Sequence, residues 1–163
     1  VNVGSLFSGC GGLDLGLERA GFEIAWACES DAACRSVLAR HWPDLDVAAD
    51  VRELDAGTPR VDLLAGGFPC QPVSLAGRGY AQADERWLWP EFARCVRLLR
   101  PRAVVVENVP GLAARGLGDV LADLAEALYD ALVFRLRAAD LGAPHGRERL
   151  FLVATDAERG RVG

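Results

Sequence analysis

Apolar and polar residues fall in blocks along this chain, and the period changes from block to block. Short apolar runs predict strands at Val1–Leu6, Phe22–Cys28, Val61–Ala65, Ala103–Val106, Ala131–Ala138 and Leu150–Ala154, with a weaker one at Asp44–Ala48. Between them the spacing turns helical. Leu13–Ala20 reads as a helix ending at Gly21, and Asp31–His41 as one stopped by Pro43. Leu88, Phe92, Val96 and Leu99 mark a helix over Leu88–Leu99 that ends before Pro101. Leu117–Leu128 carries apolar residues at 117, 120, 121, 124, 125 and 128, a 3.6-residue period.

Strand-helix alternation of this kind predicts an α/β fold, a mostly parallel sheet with helices on both faces. The last two strands are joined through Ala139–Arg149 without a helix, so they are expected to pair antiparallel at one edge. In such sheets ligands bind beyond the carboxyl ends of the strands. The loops after Leu6, Cys28, Ala48, Ala65 and Val106 all fall on that side.

Composition narrows the class. The chain has 163 residues and is 51% hydrophobic, which fits a single globular domain over residues 1–163. No run is long enough to cross a bilayer. Five cysteines without a CxxC spacing argue against a disulfide framework and against a zinc site, and suit a reducing cytoplasm. The net charge is −5, with the acidic excess in the first half, so no basic face announces a nucleic-acid binder. The basic residues are all arginine, and the group Arg94, Arg97, Arg100 and Arg102 reads as a solvated helix face. The polar tail from Thr155 to Gly163 reads as a C-terminal truncation.

Chemistry concentrates at strand ends. Gly66-Gly67-Phe68-Pro69-Cys70-Gln71-Pro72 places a cysteine between two prolines directly after a buried strand. A rigid frame at an edge is what a nucleophilic thiolate needs and a structural cysteine does not. Cysteines 10, 28, 34 and 95 sit in or near apolar patterns, where most thiols are inert. Val104-Val105-Val106-Glu107-Asn108-Val109-Pro110 ends a second strand in a carboxylate, costly to bury unless paired. Burial is expected to raise the Glu107 pKa and keep a proton available.

The loop Phe7-Ser8-Gly9-Cys10-Gly11-Gly12 lets a ligand approach the backbone and the start of a helix. Glu29 follows twenty positions after Gly9, an offset at which acids hold ribose hydroxyls. Asp50 is placed either to accept from an adenine amino group or to cap a turn. Arg147 and Arg149, spaced by one residue, are expected to point the same way and grip an anion. His145 receives no catalytic role.

These segments together resemble the DNA (cytosine-5) methyltransferases over nearly the whole chain. Phe7–Gly12 is similar to the family's motif I, Glu29-Ser30-Asp31 to motif II, and Asp50-Val51 to motif III. Gly67-Phe68-Pro69-Cys70-Gln71-Pro72-Val73-Ser74 is similar to the nucleophile motif IV, the most specific of the set. Glu107-Asn108-Val109 is similar to motif VI, and Gly142–Arg149 to motif VIII, with His145 where the family usually carries glutamine.

The resemblance implies a Rossmann-like fold, S-adenosylmethionine as cofactor, no metal, and cytosine in double-stranded DNA as substrate. It implies cofactor contacts from Phe7, Ser8, Gly9, Gly11, Gly12, Leu13, Glu29, Ser30, Asp50, Val51, Pro69 and Leu88. It implies catalytic roles for Cys70, Glu107, Arg149 and Arg147, and substrate contacts from Phe68, Gln71, Ser74, Asn108 and Val109. Residues 75–86 would close over flipped DNA. The family's target-recognition region has no counterpart here, so a missing C-terminal region or a second chain is expected to supply it. Methylation of RNA cytosine and a cofactor-binding module without activity of its own are the alternatives.

Overall fold

The computed structural model describes residues 1–69 and 87–159. Cys70, Gln71, Ser74 and the expected closing loop lie outside the described residues. Seven strands form one sheet: β1 (Asn2–Leu6), β2 (Glu23–Cys28), β3 (Val47–Ala48), β4 (Leu63–Gly66), β5 (Ala103–Asn108), β6 (Tyr129–Arg137) and β7 (Glu148–Asp156). Five helices accompany them: α1 (Gly12–Arg19), α2 (Ala32–His41), α3 (Trp89–Leu99), α4 (Leu112–Arg115) and α5 (Leu117–Glu126). Two 3-10 turns, Val51–Glu53 and Ala138–Leu141, complete the order.

The strand order is β3-β2-β1-β4-β5-β7-β6. The first five of these pair parallel, and β7 runs antiparallel to both β5 and β6. The antiparallel hairpin thus sits at one edge as expected, with β7 inserted one strand inside it. From β1 the chain moves outward through β2 to β3, then returns to place β4 on the other side of β1. The order therefore reverses between β1 and β4, and a crevice opens beyond their carboxyl ends.

Backbone contact there is close. A Cβ on Gly66 would lie 2.2 Å from the Leu6 carbonyl oxygen, so only glycine fits beside β1. The larger core lies on one face, where α3 contributes Trp89, Phe92, Val96 and Leu99 and α5 contributes Val120 and Leu124. Pro90 occupies the first turn of α3, where its missing N–H costs nothing. On the other face a smaller core of Val3, Ile24, Leu63 and Ala65 is covered by Leu13 and Leu17 of α1.

That second cover stops short. Across β5, β7 and β6 the register aligns Val105 with Val153 and Leu132, and Glu107 with Phe151 and Phe134. Leu132, Phe134 and Leu136 are exposed, Leu132 by 67%. An apolar ladder therefore lies open on one face of the sheet, although sheets of this class are usually covered on both.

Two arginines from the cluster assigned to a solvated helix face are in fact structural. Arg94 donates to the carbonyls of Leu54 and Val51, tying α3 to the 3-10 turn. Arg100 donates to the Ala127 carbonyl and pairs with buried Asp156 at 2.9 Å. Periodicity placed these residues on one side of a helix, but carbonyls left free at turns and strand ends needed donors.

The two faces make opposite predictions. Leu152, fully buried, faces the large core, so Leu152→Ala is expected to cost about 2–5 kcal/mol in urea unfolding. Leu132→Glu on the open face is expected to stay within about 0.5 kcal/mol. Equal losses would mean that the open face is packed in solution.

Candidate active site

The crevice is built from the loops at the carboxyl ends of the five parallel strands. The first begins where β1 ends. Phe7 has φ +54°, a conformation rare for a bulky residue, and its ring stacks on Phe92 at 6.4 Å. This turn throws the glycine loop outward. Ser8 donates its N–H to the Cys28 carbonyl, and its hydroxyl meets that of Ser5 at 2.8 Å. Gly11 has φ +82°, and a side chain there would strike the Trp42 ring. Helix α1 follows with no side chain capping its first N–H groups.

Glu29 staples this loop to the next. Its two carboxylate oxygens accept from the Gly9 and Asp31 N–H groups, each at 2.7 Å. Ionised, it keeps further acceptor capacity for a ligand hydroxyl. Asp31 in turn caps α2 by accepting from the Cys34 N–H.

Beside Glu29 lies a cavity of about 120 Å³, lined by Phe7, Cys28, Ser30, Ala49, Asp50, Val51, Arg52 and Leu88. Five of these, Phe7, Ser30, Asp50, Val51 and Leu88, come from four separate stretches singled out in the sequence. Cys28, Ala49 and Arg52 were not foreseen. The walls are largely apolar and Asp50 supplies a carboxylate, which suits a flat heterocycle bearing an amino group. Asp50 also caps the 3-10 turn through the Arg52 N–H, one of the two roles open to it in the sequence. Arg94 holds that turn from behind.

The other side of the crevice carries the acid. Glu107 ends β5 and pairs with Arg149 of β7, Oε1 to Nε 2.8 Å. Its side chain is 29% exposed, so the expected deep burial is not met. A guanidinium rather than an apolar wall surrounds the carboxylate. Gly67 leaves room for it: a Cβ there would stand 2.9 Å from Glu107 Oε2.

Asn108 joins the two strand ends. Its amide donates to the Phe68 carbonyl at 3.0 Å, and its own oxygen accepts from the Val109 N–H. The backbone just before Pro69 and Cys70 is thereby fixed to β5. Neither Phe68 nor Asn108 turns its side chain to an open site as the substrate reading required. The Phe68 ring is buried among Trp87, Trp89 and Phe92, because an apolar cavity between β4 and α3 takes it. Leu13 likewise packs in the smaller core. Pro69 is exposed.

The two motif arginines part company. Arg149 turns to Glu107, whereas Arg147, just ahead of β7, is exposed and makes no ion pair among the described residues. The strand begins only at Glu148, so the shared direction expected of an extended segment does not reach Arg147.

The described thiols divide by environment. Burial pushes Cys28 up to about 12 and Cys95 up to about 11, which keeps both inert. Cys10 is exposed and touches Cys34. A contact between thiols 24 positions apart had no sequence signal beyond their presence.

Strand order and crevice define a class: an α/β methyltransferase fold of the Rossmann-like, S-adenosylmethionine-dependent kind. A DNA modification methyltransferase encoded within a prophage of E. coli superposes over 98% of this chain and 48% of its own, with TM-score 0.83 and 33% identity. The Spodoptera frugiperda DNMT2 structure shares the fold at TM-score 0.80 and 22% identity, over 96% of this chain and 50% of its own.

The sequence narrows the class to one family. The C-5 cytosine-specific DNA methylase profile matches residues 1–161, and the chain belongs to that family. Type II methyltransferase M.FnuDI of Fusobacterium nucleatum is 37% identical over 155 residues, covering 91% of this chain and 45% of the relative. Type II methyltransferase M.AquIA of Picosynechococcus sp. is 36% identical over 177 residues, covering 91% of this chain and 69% of the relative. The chain thus spans under half of M.FnuDI and about two thirds of M.AquIA.

One residue under the glycine loop stands apart. Asp14 is 2% exposed, and neither of its oxygens has a well-formed hydrogen-bond partner among the described residues. Burial raises its pKa above 3.8, and the nearby Ser5 hydroxyl only partly opposes this. The folded state therefore holds the Asp14 proton to higher pH than the unfolded chain does. Stability falls as pH rises from about 3.8 through the raised value. Asp14→Asn is expected to gain about 1–3 kcal/mol in urea unfolding at pH 8, shrinking toward zero near pH 4. A gain independent of pH would contradict a buried charge.

Proposed function

We propose that this chain is the cofactor-binding and catalytic part of a DNA cytosine-5 methyltransferase working in the cytoplasm. It transfers a methyl group from S-adenosylmethionine to carbon-5 of cytosine in double-stranded DNA. The observation that carries this reading is the Glu107–Arg149 pair, held at 2.8 Å against Gly67, one strand from where the Pro69-Cys70-Gln71-Pro72 segment departs. An acid ordered by a guanidinium, together with the Cys70 thiol that the sequence sets between two prolines, is the equipment needed to activate a cytosine ring.

The residues of the crevice fit the cofactor. Glu29 has acceptor capacity for ribose hydroxyls, Asp50 faces the cavity for an adenine amino group, and Phe7, Val51 and Leu88 supply apolar walls. Exposed Pro69 and the glycine loop from Ser8 to Gly12 border the methionine end. When bound, S-adenosylmethionine supplies an electrophilic methyl group.

The chain's own residues do the rest. Carbon-5 of cytosine is a poor nucleophile inside a stacked duplex, so the base must first be flipped out, at a cost of a few kcal/mol. The Cys70 thiolate adds to carbon-6, which places electron density on carbon-5. Glu107, oriented by Arg149, hydrogen-bonds or protonates ring nitrogen-3, so charge does not accumulate on the ring. Asn108 ties the Phe68 backbone, two residues before Cys70 in the sequence, to the strand that carries Glu107. Gln71, Ser74, Val109 and Arg147 border the base and its phosphates in this reading. Loss of the carbon-5 proton then expels Cys70 and restores the ring.

Target reading in this proposal falls to a further polypeptide. It either continues this protein or arrives as a second chain. The open ladder of Leu132, Phe134, Val153 and Phe151 is the surface that suits an apolar helix face from it.

The covalent step is checked with duplex DNA containing 5-fluorocytosine, with S-adenosylmethionine and that polypeptide present. A protein–DNA adduct stable in denaturant is expected, and its loss in Cys70→Ser. Cofactor binding without any adduct would leave only a binding module. The covering surface is checked separately. Leu132→Glu with Phe134→Glu should leave calorimetric S-adenosylmethionine binding unchanged and abolish adduct formation. Full adduct yield in that variant would remove the open face from the account.

A further inference from the structure

The Sγ atoms of Cys10 and Cys34 stand 3.6 Å apart, and neither thiol is deeply buried. The pair lies beside the Glu29 staple. Cys10 sits in the glycine loop directly after Gly9, whose N–H binds Glu29. Cys34 is in the first turn of α2, whose cap, Asp31, binds the other Glu29 oxygen. Thiol contact and carboxylate staple therefore join the same two segments. A disulfide needs its sulfurs about 2.05 Å apart. Gly9 and Gly11, both at positive φ, flank Cys10 and give its backbone the freedom to close that gap.

We propose that Cys10 and Cys34 form a reversible disulfide, a modification site that locks the glycine loop to α2 and closes the cofactor crevice to exchange. The oxidant is a peroxide. Exposed Cys10 meets it first: its thiol gives up its proton, the thiolate attacks one peroxide oxygen, the O–O bond breaks, and the products are a sulfenic acid on Cys10 and a hydroxide that takes up the released proton as water. The sulfur of Cys34 then attacks the Cys10 sulfur. An S–S bond forms, the S–O bond breaks, and the departing hydroxide takes the Cys34 proton as a second water. Two thiols lose two electrons and two protons, and the peroxide gains them. The hydrogen bond with Cys10 pushes the Cys34 thiol up to about 11, so Cys34 enters this second step as the protonated thiol. A reducing dithiol reverses the reaction by exchange.

The effect on the cofactor rests on the proposed reading of the crevice. A cross-link between Cys10 and Cys34 keeps Gly9 against Glu29. The loop then cannot part to admit a ribose to the Glu29 carboxylate.

The full chain is treated with hydrogen peroxide, alkylated, digested and analysed by mass spectrometry. A Cys10–Cys34 linked peptide, lighter by two hydrogens than its parts and released by dithiothreitol, is expected. Oxidation confined to Cys70, or carried to sulfinic acid without a linked peptide, overturns the site. In parallel, calorimetry with S-adenosylhomocysteine compares the reduced and oxidised protein. Affinity at least tenfold weaker after oxidation is expected, restored by dithiothreitol. Cys34→Ser should bind like the reduced parent and lose all sensitivity to peroxide. A linked peptide with unchanged affinity overturns the closure. Reduced protein that fails to bind S-adenosylhomocysteine overturns the cofactor reading instead, while the linked peptide still decides the disulfide.

Discussion

Two central strands with nothing but backbone between them set the geometry of this molecule. Gly66 of β4 faces the Leu6 carbonyl so closely that any side chain would collide with it. From that contact the chain leaves in opposite directions. The loop after β1 turns toward β2, and the segment after β4 turns toward α3. A parallel sheet closes its gaps wherever successive crossovers leave on the same side, and opens one where they diverge. The glycine loop, the Glu29 staple and the Phe68-Pro69 turn all border this gap because the strands leave them no other place. A bulkier residue at position 66 would part β1 from β4 and separate the two halves of the site.

Around the crevice, three carboxylates are treated in three ways. Glu29 is held by backbone N–H groups, which fix its position without cancelling its charge. Glu107 faces a guanidinium, which orients it in a plane and matches its charge. Asp14, below the loop, has neither, and the fold carries the cost. An acid meant to bind hydroxyls needs spare acceptor capacity, and one meant to work on a ring nitrogen needs a fixed direction. Asp14 does neither at the surface. Its place on the first turn of α1, near the Ser5 hydroxyl, makes it part of the support under the loop.

The sequence carried the elements and the motif residues because those depend on local order. Apolar runs at strand period and a clean helical period over Leu117–Leu128 were enough to place the sheet and the helix α5. The α4 turn escaped because four residues show no period. The insertion of β7 inside the edge depends on pairing between distant strands, which no local pattern records. Side chains serving distant backbone were also hidden. Arg94 and Arg100 look like any solvated arginine until the carbonyls of Val51 and Ala127 are placed before them. The resemblance makes Phe68 a substrate contact, yet its ring belongs to the core and its carbonyl accepts from Asn108. Burial of Glu107 was inferred from the three valines before it. A strand can be buried along its length and still emerge at its end.

Glu107 emerges on the same side of the sheet as the open apolar ladder. The register sets Glu107 opposite Phe151 and Phe134, with Val105, Val153 and Leu132 one step below. Whatever covers that ladder therefore comes up against the Glu107–Arg149 pair from below. Excluding water there lowers the local dielectric and strengthens the pair, since Coulomb attraction scales inversely with it. The acid would then be held most firmly only when the covering polypeptide is in place. On the proposed reading, the polypeptide that selects the DNA would also complete the electrostatics of the Glu107–Arg149 pair. Assembly and chemistry are then coupled through one face of one sheet rather than through a separate signal.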